Sequence, residues 1–258
     1  MTNDIVPQLV AHRGYSSHYP ENTLLSLEQA FLAGACFVEC DVQLTLDEVP
    51  VILHDAELIR TTDVQGNVHT MVCRDVTAKI ANYPQRFATE FSRVHIPALS
   101  EFVVLMQRWS TRKAFVEIKR SSIRAFGREL VLQKIVNILE MIKHQVIVIS
   151  FDFEIIRLVQ HLHDWCTGWV VEDWNEENLQ KMQQLNPDFV FVDHEQLPED
   201  LSVLPKASWH WALYEIDDPQ MALSWVNKGA SFIETNNIGQ MLQSSCFSHS
   251  ACNDNAIL

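Results

Sequence analysis

Glycine is scarce in this chain, seven residues in 258, and none of the patterns GxGxxG, GxxxxGK[ST] or GxSxG occurs, so a loop that cradles a nucleotide or presents a serine nucleophile is not expected. Cysteine is nearly as sparse. The six residues Cys36, Cys40, Cys73, Cys166, Cys246 and Cys252 form no CxxC pair and no dense framework, and a chain of this length needs no stapling, so a reducing compartment is expected. Basic residues are also few: 19 Lys and Arg stand against 33 Asp and Glu, a net charge of −14. That balance repels nucleic-acid backbones and anionic membrane surfaces. No apolar run approaches the roughly 20 residues of a membrane helix, and the opening MTNDIVPQLVAHRG lacks the basic start and longer apolar stretch of a signal peptide. The expectation is a cytoplasmic protein with no stable membrane insertion and no nucleic-acid partner. An anionic small molecule remains open as substrate, provided a metal ion or a few placed cations reverse the local field.

What is present can fill a large core. With 47% hydrophobic and 20% charged residues, the composition is that of a globular domain. Strand-like apolar or alternating runs occur at 6–11, 36–42, 49–53, 114–118, 145–151, 167–171, 188–192, 208–214 and 230–234, and helix-like stretches at about 22–34, 99–110, 123–143, 152–164, 175–185 and 217–228 separate most of them. The stretch 43–50, QLTLDEVP, is too short for a parallel crossover, so 49–53 returns antiparallel to 36–42. Eight βα units remain. They predict a (β/α)8 TIM barrel with a small insertion, about 55–98, after the second barrel strand, with an open doubly wound sheet as the other reading. Residues 1–245 form one barrel domain on this reading, the insertion lies over its mouth, and 246–258 form a flexible tail.

Chemistry concentrates at the predicted strand ends. In FVECDVQL, Glu39 and Asp41 are two apart and share a face, and in AFVEIKR Glu117 and Lys119 do the same. An isolated Glu-x-Asp commonly caps or salt-bridges a sheet end. Here it has company: His12 ends the first strand, His54 the returning strand and Glu117 the next barrel strand. Three carboxylates without a Cys or His set suit a hard divalent cation, Mg2+ or Ca2+. Two histidines beside such a site can act as general acid and base. Arg13 and Lys119 supply a guanidinium fork and a point charge for an anionic phosphoryl group. By contrast HLH, 161–163, lies in a helical stretch and reads as helix surface.

The ordered set HRG (12–14), PENT (20–23), Glu39 and Asp41, PVxxHD (50–55) and EIK (117–119) resembles the glycerophosphodiester phosphodiesterases. The resemblance implies a (β/α)8 barrel that hydrolyses glycerophosphodiesters to glycerol 3-phosphate and an alcohol. It also implies that Glu39, Asp41 and Glu117 bind the divalent metal, that His12 and His54 are the acid–base pair, and that Arg13 and Lys119 contact phosphate. The glycerol 2-hydroxyl attacks first in this picture, and water then opens the cyclic phosphate. The chain departs from the family pattern in three places: Asp47 and Glu48 occupy the hairpin turn, WHWALYEIDD replaces a WTVN-like strand, and Asn236 stands at an acidic position in FIETNN. Trp211 keeps the aromatic of that strand and is the candidate substrate wall. Two alternatives accompany this reading, a lysophospholipase D with an apolar groove formed by Ile80, Tyr83, Phe87 and Phe91, and a catalytically silent binding barrel.

Overall fold

A computed structural model describes residues 7–162, 164–247 and 252. Its sheet contains β1 (Gln8–Ala11), β2 (Phe37–Leu44), β3 (Pro50–Ile52), β4 (Lys113–Ile118), β5 (Val146–Ser150), β6 (Cys166–Val171), β7 (Phe189–Asp193), β8 (His210–Tyr214) and β9 (Phe232–Thr235). Eight of these run parallel, and β1 pairs with both β2 and β9, which closes the sheet. The ninth, β3, returns antiparallel along β2 through Val42 opposite Ile52. The fold is the expected (β/α)8 barrel.

The outer layer follows from helix-period apolar faces: α1 (Leu24–Leu32) is the first crossover helix. Thr23 caps it by accepting the Ser26 N–H at 3.1 Å, which satisfies a donor left over at the helix start. In the insertion lie three short helices, α2 (Ile59–Thr62), α3 (Cys73–Thr77) and α4 (Pro84–Phe87). These short turns cover a small separate core around Leu53, Leu58 and Ile96. Then come α5 (Leu99–Arg108), α6 (Arg120–Phe126), α7 (Arg128–Leu139), α8 (Phe153–His161), α9 (Glu176–Leu185), α10 (Pro219–Asn227) and α11 (Ile238–Gln243). The single helix expected over 123–143 is two, because Gly127 takes a φ of 82° between α6 and α7. In the hairpin turn before β3, Glu48 takes the left-handed φ of 60° that glycine favours. Its N–H is bonded to the Thr45 carbonyl, and its carboxylate lies 2.9 Å from Lys134 Nζ.

Strands of a barrel are buried on both faces, so two apolar cores alternate along each one. Val10, Phe37, Phe115, Phe189, Ala212 and Phe232 belong to the inner core. Phe115 packs edge-on to Phe189 and Phe191 at 5.1 and 5.0 Å between ring centroids. Counting two residues onward from these inner positions reaches the C-terminal rim.

Two expectations need correction here. Trp211 precedes the inward Ala212 and therefore points outward; it is 4% exposed, packs on Trp174 and Trp209, and donates its indole N–H to the Pro205 carbonyl at 2.9 Å. It is outer-layer core and no substrate wall. The cysteines, expected as thiols, include a disulfide between Cys36 and Cys252, 216 residues apart, while Cys40, Cys73, Cys166 and Cys246 are free. Phe247 is buried at the end of the described C-terminal run. The expected flexible tail falls largely on 248–251 and 253–258, outside the described residues, as does His163 of HLH; His161 is exposed on α8. No helix among the described residues is long and apolar enough to cross a membrane.

Candidate active site

β1 ends at Ala11, and the next three residues make a tight turn that requires glycine at position 14. Arg13 has a φ of 55° and Gly14 one of 81°. A Cβ on Gly14 would lie 2.5 Å from both the carbonyl carbon and the Oγ of Ser26, so a side chain there would push α1 away. The tight turn directs the Arg13 N–H at Glu39 Oε2, 3.0 Å away. The PENT loop then completes the wall. Asn22 donates from Nδ2 to Asp41 Oδ2 at 2.7 Å and accepts the Asp41 N–H at 3.0 Å, which fixes that carboxylate from both ends. Glu21 orders the loop as a bridge between Arg13, 3.0 Å away, and Arg60 of α2, 2.7 Å away.

The three predicted carboxylates meet. Oxygen atoms of Glu39, Asp41 and Glu117 lie within 4.8 Å of one another, all three buried. Lys119 Nζ sits 3.1 Å from Asp41 and 2.9 Å from Glu117, and Arg13 Nε lies 3.3 Å from Asp41 without hydrogen-bond geometry. One oxygen of Glu39, Oε1, is buried with no hydrogen-bond partner. These contacts split the acidities. Burial, reinforced by Asp41, Glu234 and Glu117, pushes the Glu39 carboxyl well above its ordinary range. Burial also raises Glu117, against the pull of Lys119. Asp41 goes the other way: burial opposes ionisation, but Lys119 and Arg13 together hold it far below the usual carboxylate range. Two raised carboxyls and an orphaned oxygen beside a third mark a cluster short of positive charge. An oxygen-binding divalent cation fits that need.

The two histidines flank the cluster in unlike settings. His12 is 8% exposed, and burial, with Arg13 beside it, lowers its pKa to about 3. Its Nδ1 lies 3.1 Å from Asn236 Oδ1 and 3.6 Å from the exposed Glu215 carboxylate. The amide of Asn236 is oriented by Ser16, which donates to Oδ1, and by Asp217, which faces Nδ2. His54 follows β3 and is more open; its Nδ1 lies 2.6 Å from Asp55 Oδ1, and Asp55 is gripped on its other side by Arg60. The His54 contact, with Arg60 beside it, holds Asp55 well below the ordinary range. Gln43 steadies the His54 backbone by donating to its carbonyl at 2.8 Å.

A cavity of about 190 Å3 opens over this arrangement, lined by His12, Arg13, Glu39, His54, Glu117 and Lys119 on one side and by Ile149, Phe151, Val170 and Phe191 on the other, with Tyr214, Glu215 and Glu234 between. Every predicted site residue but Trp211 is in the cavity wall or, for Asp41, directly beneath it. The sequence reading missed Glu234, although alternation from Phe232 in FIET puts it on the inner face. It also missed Arg60 and the grip of Asn22 on Asp41. Asn236 was singled out as a departure, and its contact with His12 shows what the departure touches.

Fold and site define a class: a (β/α)8 barrel with a buried carboxylate cradle, flanked by two imidazoles, at the C-terminal ends of its strands, where barrel enzymes carry their chemistry. Comparison with known proteins narrows it. The chain belongs to the glycerophosphoryl diester phosphodiesterase family, whose profile matches residues 12–206. It is 38% identical to the Bacillus subtilis protein YqiK over 125 residues, 47% of this chain and 49% of that one. It is 36% identical to a glycerophosphodiester phosphodiesterase of Bacillus altitudinis over 122 residues, again 47% and 49%. The chain thus spans about half the length of these curated relatives. Among solved structures, an Oleispira antarctica phosphodiesterase in complex with the product sn-glycerol-3-phosphate superimposes with a TM-score of 0.83, covering 94% of this chain and 97% of that one at 24% identity, which shows a common fold.

Proposed function

We propose that this chain is a divalent-metal-dependent phosphodiesterase that cleaves glycerophosphodiesters to glycerol 3-phosphate and an alcohol. One observation carries the reading: the three buried carboxylates converge within 4.8 Å in the wall of a cavity shared by two histidines and two cations. Glu39, Asp41 and Glu117 would hold Mg2+ or Ca2+, which when bound would offset the negative charge that builds on the phosphoryl group.

The residues divide the remaining work by environment. His12 is neutral near pH 7 and, with Nδ1–H donated to the Asn236 carbonyl oxygen, presents the lone pair of Nε2; it accepts the proton of the attacking hydroxyl. His54 is oriented by the Asp55 carboxylate at its Nδ1; it donates a proton from Nε2 to the departing alcohol oxygen. With the glycerol 2-hydroxyl as attacker, the bond from O2 to phosphorus forms and the bond from phosphorus to the alcohol oxygen breaks. Water then opens the cyclic phosphate, His54 taking its proton and His12 returning one to O2 as that bond breaks, which releases glycerol 3-phosphate and restores both imidazoles. Arg13 and Lys119 line the cavity at the cluster's edge and would contact the phosphate there. The apolar side of the cavity excludes water and strengthens these charges.

The lysophospholipase D alternative finds less support in the insertion than its sequence suggests. Phe87 packs on Phe91 and Tyr83, and Arg86 lies over both Phe87 and Tyr83, so these rings are committed to one another. The test is a panel of glycerophosphodiesters and lysolipids assayed with Mg2+, Ca2+ and EDTA. Release of glycerol 3-phosphate that EDTA abolishes is the expected result. No release from any glycerophosphodiester overturns the reading.

A further inference from the structure

We propose that Glu234 recognises the glycerol side of the substrate, exchanging a hydrogen bond with a hydroxyl of the polyol attached to the phosphate. This rests on the phosphodiesterase reading and adds the residue that would set its preference. Glu234 stands two residues after Phe232 on β9, so its side chain points into the barrel, and it is 4% exposed. Its Oε1 is buried with no hydrogen-bond partner, a costly state for a carboxyl unless something that enters the cavity completes it. It also lines the cavity.

Neighbouring groups do not account for it. Glu234 is outside the carboxylate cluster that forms the candidate cation site. Arg13, the cation whose field it feels most, is ion-paired to Glu21 and Asp41. Tyr214 shares the cavity and feels the Glu234 carboxyl, yet leaves Oε1 without a hydrogen bond, and across the cavity stand Ile149, Val170 and Phe191, whose side chains carry no donor. A ligand that satisfies this corner has a polar edge and a hydrocarbon face. Glycerol is such a group: its hydroxyl meets Glu234 while its C–H face lies on the apolar wall. A hydroxyl both donates and accepts, so it serves the carboxyl whether or not that carries a proton; an ammonium serves only the ionised form.

The test compares binding of sn-glycerol 3-phosphate with that of propyl phosphate, which lacks both hydroxyls, by calorimetry in the presence of Mg2+ or Ca2+. The wild type is expected to prefer glycerol 3-phosphate by about tenfold or more. Glu234→Leu should erase that preference while leaving propyl phosphate binding within about threefold, and Glu234→Gln, which keeps a donor and an acceptor, should retain most of it. A wild type that does not distinguish the two ligands overturns the proposal without any variant. So does a Glu234→Leu protein that weakens both equally or loses affinity for the metal alone, since either marks a role in charge balance. Failure of the underlying reading looks different: wild-type protein releases no glycerol 3-phosphate from any glycerophosphodiester.

Discussion

The two sides of the barrel mouth are built from equivalent inward positions on different strands of one barrel, and they differ almost completely in chemistry. β1, β2 and β4 bring His12, Glu39, Asp41, Glu117 and Lys119 to the rim; β5, β6 and β7 bring Ile149, Val170 and Phe191 to the facing side. On the first side burial is unfavourable for nearly every group, and it is tolerated because the charges are paired and a cation can complete them. On the second side burial is the source of stability. One scaffold thus places its unstable half against its stable half, and the cavity lies along the seam. The comparison teaches that site and core here are the same positions under different side chains, so substitutions on the two sides should trade activity against stability in opposite directions.

Glu39→Gln is the largest break in that contrast. It removes the charge of a proposed metal ligand but keeps the shape and an oxygen for the Arg13 N–H, and kcat/KM should fall by about 10³-fold or more. Stability should move the other way. Glu39 has its folded carboxyl pKa raised, so the folded state holds its proton more tightly than the unfolded state, and the wild type without metal loses stability as pH rises above the ordinary carboxylate range. Glu39→Gln removes this loss. In EDTA at pH 7.5 the variant should therefore melt above the wild type, whereas added Mg2+ or Ca2+ should raise Tm for the wild type and much less for the variant. A variant that melts below the wild type in EDTA would show that the cluster is not short of positive charge.

Phe191→Ala is the matching change on the other side. Phe191 is 1% exposed and packs on Phe115, so its truncation should cost about 3–5 kcal/mol of stability. Because its side chain carries no polar atom to hold a metal, a proton or phosphate, kcat/KM at a temperature where the variant is folded should fall by less than about tenfold, well below the Glu39→Gln effect. Urea denaturation and steady-state assays on the same sample measure both. A larger activity loss than stability loss would mean that the apolar wall positions substrate more than it holds the barrel.

The two sides were also unequally legible in the sequence. The charged side announces itself, because a carboxylate or histidine at the end of an apolar run breaks the pattern, and two-residue spacing then fixes which side chains meet. The apolar side gives no such mark. In HWALY both alternating sets are hydrophobic, since a barrel strand is buried on both faces, and period alone does not say whether Trp211 or Tyr214 turns inward. Only the register with β7 and β9 decides, by setting Ala212 opposite Phe191 and Phe232. Asn22 likewise looks like a helix cap in sequence; its hold on Asp41 depends on a left-handed φ of 56° that brings PENT across to β2. The Cys36–Cys252 pair was illegible for a simpler reason, that 216 residues separate the partners and spacing rules see only near neighbours.

The smallest change falls on the seam itself. Asn236 gives His12 an amide oxygen where a carboxylate would fit; burial and Arg13 hold the imidazole neutral, with a pKa of about 3, against the weak upward pull of this hydrogen bond. Asn236→Asp should raise that pKa by about 1–3 units, since a carboxylate in contact favours the imidazolium. The groups around the imidazole set the bounds: Arg13 opposes the rise, while Asp41, Glu21 and the nearby Glu215 favour it. The sign for stability follows from linkage. The wild-type His12 pKa lies below the unfolded value of 6.5, so the unfolded state takes up the extra proton and stability falls as pH drops from about 6.5 toward 3. Moving the folded value upward shrinks that loss, while Asp217, 3.5 Å from Asn236 Nδ2, repels the new carboxylate at every pH where both are ionised. The direct measurement is the NMR titration of the His12 ring. In the wild type it should stay neutral down to about pH 4, and in the variant it should titrate at higher pH. At pH 7 to 8 the ring is neutral in both proteins, so kcat/KM should differ by only a few-fold. An unchanged titration would show that burial and Arg13 outweigh even a carboxylate in contact with the ring, and would overturn the predicted rise.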